Sequence, residues 1–307
     1  MVDEVEIQRA EFSAWLGKVN RERRFGEHDR RGTANLIDEV AKARAASSVR
    51  SGASISIARP LRGIESVRGD GRPGFSLEVF LTEYEGKRTM ASDHVEFDCH
   101  GPMNTHLDAL NHSGKDGTWY CGWPIEGAEG GPDVAVYAEE GLVSRAVFVD
   151  IPAHRGKEWV DVELTVTGAD IDGALSSAGL SFESGDALLL YMGRDRYEAS
   201  VRPWNHDERD SNGHVVVPGV GGDGARWIVD HGVSVLCWDM LDAVHPLEPG
   251  DVHSLIWAIG LLLVDNCDFA ALRAAVGTGT QIVGALVVAP LSIEGGTGCN
   301  VNPLVIR

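Results

Sequence analysis

The chain reads as an α/β fold. Strand-like and helix-like stretches alternate along its 307 residues, and the apolar share, 43%, is ordinary for a globular protein with a full core. No heptad, internal repeat or long low-complexity tract points to another architecture. A single domain is expected over 1–307, opening with a helical arm over about 1–48.

Residues 3–18 set Val5, Phe12, Trp15 and Leu16 on one broad face with charges elsewhere, an amphipathic helix. In FGEHDRRGTANLIDEV, Asp29, Gly32, Thr33 and Asn35 are turn residues, and Asn35 is placed to cap a helix over 36–47. Residues 53–59, 75–82 and 93–100 alternate as strands. In the third, His94, Glu96, Asp98 and His100 share one face and Val95, Phe97 and Cys99 the other. That is a half-exposed strand, with His94 a solvated residue. HSGKDGTWYCGWP at 112–124 is loop-like; its Trp119, Tyr120 and Trp123 either wall a pocket or pack the loop down. Residues 133–150 carry two strand-like pieces, the clearer over 147–151.

A helix follows within 161–179, capped by Asp170 or a neighbour. Residues 187–192 form a buried strand. Arg194, Asp195 and Arg196 follow at its C-terminal end, where open α/β sheets build their sites. The polar stretch 203–217 is an exposed excursion. A helix over 225–231, a strand over 233–238 with Asp239 at its end, and a turn at HPLEPG come next. A helix over 268–276, the strand GALVVAPLSI and the loop EGGTGCNVNP close the chain. Gly295, Gly296 and Gly298 allow close backbone approach to a site, or simply make a terminal turn.

The net charge of −19 argues against nucleic acid and anionic membrane as partners. Five scattered cysteines without a CxxC pair suit reduced thiols in the cytoplasm. The first residues lack a signal-peptide core, and the longest apolar run, 255–264, is too short to span a bilayer.

The chemistry concentrates at 98–112, DCHGPMNTHLDALNH, which holds three of the eleven histidines and two aspartates. His106 and Asp108, two apart, share a face only if the segment is extended. Asp108 and His112 have the four-residue spacing of helix neighbours. Two imidazoles and a carboxylate converging suit a divalent metal with a proton-transfer group beside it. Far along the chain, His253 and Asp265 bracket an apolar run. On one straight strand they would lie about 40 Å apart, on one helix about 18 Å. A helix over 252–259, a turn at Gly260 and a returning strand over 261–265 would bring them together.

THLDALNH at 105–112 resembles the core motif of the metal-dependent cyclase family, which includes bacterial kynurenine formamidases and isatin hydrolases. GEHDRRGTANLI at 26–37, PGVGGDGARWI at 218–228, VDNCDFAAL at 264–272 and APLSIEGGTGCNVNPLVI at 289–306 are similar to family segments in the same order. The resemblance thus covers most of the chain. It implies a swivelling β/β/α cyclase-type fold, a mixed sheet with surrounding helices, in homodimers or homotetramers. It also implies a divalent metal, Zn²⁺ or Mn²⁺. His106 and Asp108 match as metal ligands, His112 as the acid/base, and His253 and Asp265 as the later ligand pair.

Two positions depart from the family. The family's ligand four residues before the motif histidine falls on Pro102, which cannot ligate. His100, six before and of the same strand parity as His106, is the candidate in its place, the extra residues absorbed as a bulge at Gly101–Pro102. Asp265 stands where the formamidases have glutamate, which bears on whether one metal or two are held. Cys99 lies on the apolar parity and is not expected to ligate.

The implied activity is hydrolysis of a C–N bond in a small cyclic amide or aryl formamide by metal-activated water, with an aromatic substrate against the Trp119–Trp123 loop. A metal-dependent cyclase or lyase on a polyketide-like or hydroxy-acid substrate is the alternative. A non-enzymatic relative is disfavoured because His106, Asp108 and His112 occur together. No G-x-S-x-G is present, and GVGGDG at 219–224 lacks dinucleotide-binding spacing.

Overall fold

The computed structural model describes all of residues 1–307 except 1, 62–73, 87, 102–103, 127–130, 163, 205–208, 210 and 246–249. The first helix, α1 (Val2–Arg21), buries Phe12 and Leu16 as its apolar spacing predicts. A 3₁₀ turn, Gly32–Leu36, precedes α2 (Glu39–Ser48). Asn35 does not cap α2: it lies inside the turn and donates to Asp29. The cap is Asp38, whose carboxylate accepts from Ala41 N. The excursion at 205–208 and 210, most of the HPLEPG turn and the bulge position Pro102 lie outside the described residues.

Three strands follow: β1 (Ser54–Ser56), β2 (Phe75–Tyr84) and β3 (Arg88–Phe97). His94 on β3 is exposed, as its parity predicts. Next comes β4 (His106–Asp108), fully buried. The first strand-like piece of 133–150 is a 3₁₀ turn, Val134–Tyr137, and only the second is a strand, β5 (Leu142–Asp150). Then come α3 (Ile151–Arg155) and α4 (Gly168–Ser177). Thr167 caps α4, with Asp170 at the third helical position reaching back to the Thr167 N–H, a capping box. The remaining elements are β6 (Ala187–Tyr191), α5 (Arg194–Ser200), α6 (Gly222–Asp230), β7 (Val235–Trp238), α7 (Ser254–Ile259), β8 (Leu262–Asp265), α8 (Ala270–Val276), β9 (Gln281–Val288), β10 (Gly298–Asn300) and β11 (Leu304–Ile306).

Among the described residues, nine of these strands form one mixed sheet in the order β1-β11-β9-β5-β6-β7-β8-β4-β10, while β2 and β3 pair only with each other. At its centre β5, β6, β7 and β8 run parallel. Strands covered on both faces must be apolar throughout, and β6, β7 and β8 are buried at every position. Helix α2 packs on β5 and β9, and α1 on α7. The fold is thus the expected mixed α/β sheet with surrounding helices. Among the described residues no helix is long and apolar enough to cross a membrane.

Candidate metal centre

The centre lies at the C-terminal edge of the parallel strands. There β4 is inserted antiparallel between β8 and β10, pairing His106 with Asp265 and Asp108 with Gly298. The strand is extended, so His106 and Asp108 share a face while Leu107 points into the core. Glycine is required at 298: a Cβ there would lie 2.7 Å from both His100 Cε1 and the Leu107 carbonyl oxygen.

All six predicted residues meet. His106 Nε2 is 3.4 Å from Asp108 Oδ1 and 3.9 Å from Asp265 Oδ2. His253 Nε2 is 3.2 Å from Asp265 Oδ2 and 3.7 Å from Asp108 Oδ2. His112 Nε2 is 3.9 Å from Asp108 Oδ2, and His100 Nδ1 is 2.9 Å from Asp108 Oδ1. His100 and His112 stack with ring centroids 3.9 Å apart. The donor atoms of His106, Asp108 and Asp265 all lie within 4.8 Å of one another, as do those of His100, Asp108 and His112. Asp108 belongs to both sets, so the arrangement accommodates one cation or two.

The hydrogen bonds fix which nitrogens face the centre. His106 Nδ1 lies 2.8 Å from the Asn104 carbonyl, which only accepts, so Nδ1 carries the proton and Nε2 offers a lone pair. His253 Nδ1 likewise donates to the Asp242 carboxylate. Trp238 Nε1 donates to Asp265 Oδ1 and turns the other oxygen, Oδ2, towards the histidines. Asp108 is different. It is fully buried, yet neither oxygen accepts an aligned hydrogen bond, and His100 Nδ1 is close without being aligned. An ionised carboxylate in that position is costly unless a positive charge meets it. A divalent cation fits this donor set of imidazole nitrogens and carboxylate oxygens.

The electrostatics agree. Burial alone would push the Asp108 carboxyl up, but the surrounding imidazoles, His100 first, outweigh it and hold the group well below the usual carboxylate range. Burial draws His253 towards its neutral form, and the Asp242 and Asp265 carboxylates reverse this and push its pKa well above the ordinary value. Burial is also the main effect on His112, whose pKa is lowered despite Asp108. The Cys99 thiol is pushed up to about 12, by burial first and Asp108 second, so it stays protonated.

The predicted bend at Gly260 is present. Its φ of +68° lets α7 turn back into β8 and carries His253 to Asp265. Gly32 packs directly on it, and a Cβ on Gly260 would lie 2.6 Å from Gly32 Cα and 2.9 Å from the Tyr120 ring. Thr33 clamps the same turn, its N–H reaching the Gly260 carbonyl at 2.8 Å. This gives the GEHDRRGTANLI segment a structural role behind the centre.

Four supporting residues escaped the sequence reading. Asp242 and Trp238 orient His253 and Asp265. Asn266, at φ +55°, donates to the carbonyls of Gly101 (2.7 Å) and Asn104 (3.3 Å) and accepts from the buried Arg194 at 2.7 Å. Thr297 Oγ1 lies 3.0 Å from His100 Nε2. Only Asn266, one residue past Asp265, had a sequence signal. Arg194, noted at its strand's end, is a support behind the centre, with its guanidinium 4.5 Å over Trp204.

An open cleft of about 1380 Å³ runs beside the centre, lined by Arg30, Asn111, Trp119, Ile125 and Thr297 among others. Of the predicted aromatic wall only Trp119 lines it. Tyr120 is buried and donates to Asp29 at 3.0 Å, and Trp123 Nε1 donates to the Asp29 carbonyl, so both pin the loop to the N-terminal segment.

No curated protein matches the chain. A solved structure described as a novel cyclase superposes with a TM-score of 0.76 at 23% identity, covering 95% of this chain and 99% of its own. Isatin hydrolase A from Ralstonia solanacearum superposes with a TM-score of 0.54 at 16% identity, covering 86% and 94%. The same enzyme from Labrenzia aggregata, bound to benzyl benzoate, gives 0.54 at 16%, covering 88% and 99%. At these identities the likeness is one of fold. The Cyclase family model, described as "Putative cyclase", matches residues 36–243, a span that holds His100, His106, Asp108 and His112. With more than half of the chain matched, the protein belongs to the cyclase family.

Proposed function

We propose that this chain is a metal-dependent hydrolase that cleaves a C–N bond in a small cyclic amide or aryl formamide. The observation that carries the reading is Asp108, fully buried, with no hydrogen-bond donor aligned on either oxygen and with His100, His106, His112 and His253 around it. His106, Asp108, His253 and Asp265 would hold the cation, with His100 completing the set from the side of Thr297. A Zn²⁺ or Mn²⁺ ion bound there supplies Lewis acidity, polarising a carbonyl and lowering the pKa of water.

The chain's own residues do the rest. His112 sits at the rim, 29% exposed at its side chain, so its imidazole meets both the centre and solvent. Its lowered pKa leaves it neutral at neutral pH, a competent base. It takes the proton from attacking water and returns it to the leaving nitrogen. Stacking on His100 fixes the plane of its ring. Trp119 offers an apolar wall to a flat substrate in the cleft. The isatin hydrolases that share the fold, one of them bound to the product analogue thioisatinate, support a cyclic amide as substrate. The five free cysteines support a cytoplasmic setting.

The test combines metal analysis with turnover. Wild type should carry stoichiometric Zn²⁺ or Mn²⁺ and turn over one of isatin, N-formylkynurenine or a simple lactam, and His106→Ala should lose the metal. His112→Ala should keep the metal and lose about 10²–10⁴ in rate. Undiminished hydrolysis after chelation would sink the metal mechanism, and metal loss in His112→Ala would make His112 a ligand. The description of the first structural neighbour as a cyclase favours a second reading, cyclase or lyase chemistry at the same centre. Turnover confined to substrates without a scissile C–N bond would select it.

A further inference from the structure

The glycine-rich loop EGGTG, 294–298, is stapled down almost residue by residue. Gly295 N donates to Asp133 Oδ2 at 2.7 Å. The Gly296 carbonyl accepts from Val134 N, and the Thr297 carbonyl from Ala109 N, each at 3.0 Å. Gly298 then pairs with Asp108 in the sheet. Gly296 also leaves little room for a side chain, since a Cβ there would lie 3.0 Å from the Ile293 carbonyl and 3.1 Å from the Val134 side chain. A loop fixed in this way is a mount. What it presents is Thr297, exposed in the wall of the cleft, with its Oγ1 3.0 Å from His100 Nε2.

The histidines of the centre are held in different ways. His106 Nδ1 meets the Asn104 carbonyl, and His253 Nδ1 meets the Asp242 carboxylate. Both partners only accept, so each of these rings keeps a proton on Nδ1 and shows Nε2 to the centre. His100 is turned round. Its Nδ1 faces the centre, 2.9 Å from Asp108 Oδ1, and its Nε2 faces Thr297. His100 Nδ1 and Asp108 Oδ1 are both buried without an aligned hydrogen bond, which is how two ligand atoms aimed at one ion would lie. A hydroxyl both donates and accepts, so Thr297 satisfies either tautomer of His100, whereas the Asn104 carbonyl and the Asp242 carboxylate each satisfy one. Asp108 decides which tautomer holds. A bare ring nitrogen 2.9 Å from a carboxylate oxygen is repulsive, so without a cation the proton belongs on Nδ1. A cation bound there needs the Nδ1 lone pair, so the proton then belongs on Nε2.

We propose that Thr297 is the positioning residue that makes His100 a ligand. Its hydroxyl donates to Nε2 in the metal-free chain and turns to accept from Nε2–H when a cation is held. One proton leaves Nδ1 and one arrives at Nε2, so the ring changes tautomer without changing charge. Solvent carries the exchange, since the His100 side chain is 27% exposed. The proposal rests on the reading of the centre as a metal site. It makes His100 the conditional member of the ligand set, beside His106 and His253, whose partners allow no such turn. Thr297 acts on the cation only through His100, and through the same ring on His112, stacked upon it at 3.9 Å.

Heteronuclear NMR of the full chain, isotope-labelled at its histidine ring nitrogens, tests it, with His100 assigned by the loss of its signals in His100→Gln. In the metal-free wild type His100 should carry its proton on Nδ1, and after stoichiometric Zn²⁺ on Nε2, while His106 and His253 keep an Nδ1 proton throughout. Thr297→Val keeps the branched shape and loses the hydroxyl. It should bind Zn²⁺ about 10–100-fold more weakly in competition with a chelating dye. Thr297→Ser should bind as wild type does; a role of shape alone would reverse that order. Zn²⁺-loaded His100 still protonated on Nδ1, or Thr297→Val binding as tightly as wild type, overturns the proposal and leaves the metal site standing. A wild type that takes up no Zn²⁺ overturns both. Neither readout uses a substrate, so the choice between hydrolase and lyase chemistry is decided separately.

Discussion

At the scale of single residues, the proposed metal centre depends on groups that would not face the cation. Asp242 holds the Nδ1 proton of His253, and Asn266 braces the Asn104 carbonyl that holds the Nδ1 proton of His106. Such outer partners commonly carry a factor of 10–100 in metal affinity. Asp242→Ala should therefore weaken metal binding about 10–100-fold in a buffered-metal titration. The proposed ligands were legible because their local order carries meaning: a two-residue spacing on a strand, a resemblance across 105–112, and a glycine between His253 and Asp265. Asp242 was not legible, because an aspartate eleven residues before a histidine has no local signature and only the fold joins them. Tyr120 and Trp123 misled for a related reason. Aromatic residues in a glycine-rich loop look the same whether they face a ligand or, as here, pin the loop to Asp29.

At the scale of elements, two turns and a cap make definite predictions. Gly260→Ala forces a side chain into a left-handed backbone and against Gly32 and Tyr120. It should cost about 2–4 kcal/mol in urea unfolding and lower metal content in parallel, because it moves α7 and with it His253. The capping box of α4 predicts a pH dependence. Burial raises the Asp170 carboxyl, but the hydrogen bonds of Arg155 and then Thr167 outweigh it and hold the pKa at about 2. The folded-state value lies below the unfolded one, so the stabilisation is present above about pH 4 and is lost as the pH falls through about 2. Asp170→Asn should cost about 1 kcal/mol at neutral pH after allowance for screening, and little at the acid end of that window. The cap also shows where the sequence reading stopped. Thr167 and Asp170 form a reciprocal pair, and choosing between them required seeing which side chain accepts from which N–H. At α2 the expected cap, Asn35, lies three residues too early: the helix begins at Glu39, and it is Asp38 that accepts from Ala41 N.

At the scale of the whole molecule, a chain of −19 works against its own field, because its excess of like charges repels within the folded state. Raising ionic strength from about 0.01 to 0.1 M shortens the screening length from about 30 to 10 Å and should therefore stabilise the folded chain, measurable as a rising thermal transition temperature in calorimetry. The α/β class and the run of elements were legible in the alternation of periodicities. The strand order was not, because nothing local states that β4 belongs between β8 and β10, whose partner residues lie roughly 160 and 190 positions further along the chain. That insertion has a kinetic consequence. As the chain leaves the ribosome, the strand bearing His106 and Asp108 has neither neighbour until nearly all the rest has emerged, whereas β5, β6, β7 and β8 can zip up in order behind it. Pairings of such long sequence separation form late. Metal capture should therefore appear in refolding as a slow phase after most of the circular dichroism has returned, and a nascent chain stalled before β10 should hold no ion.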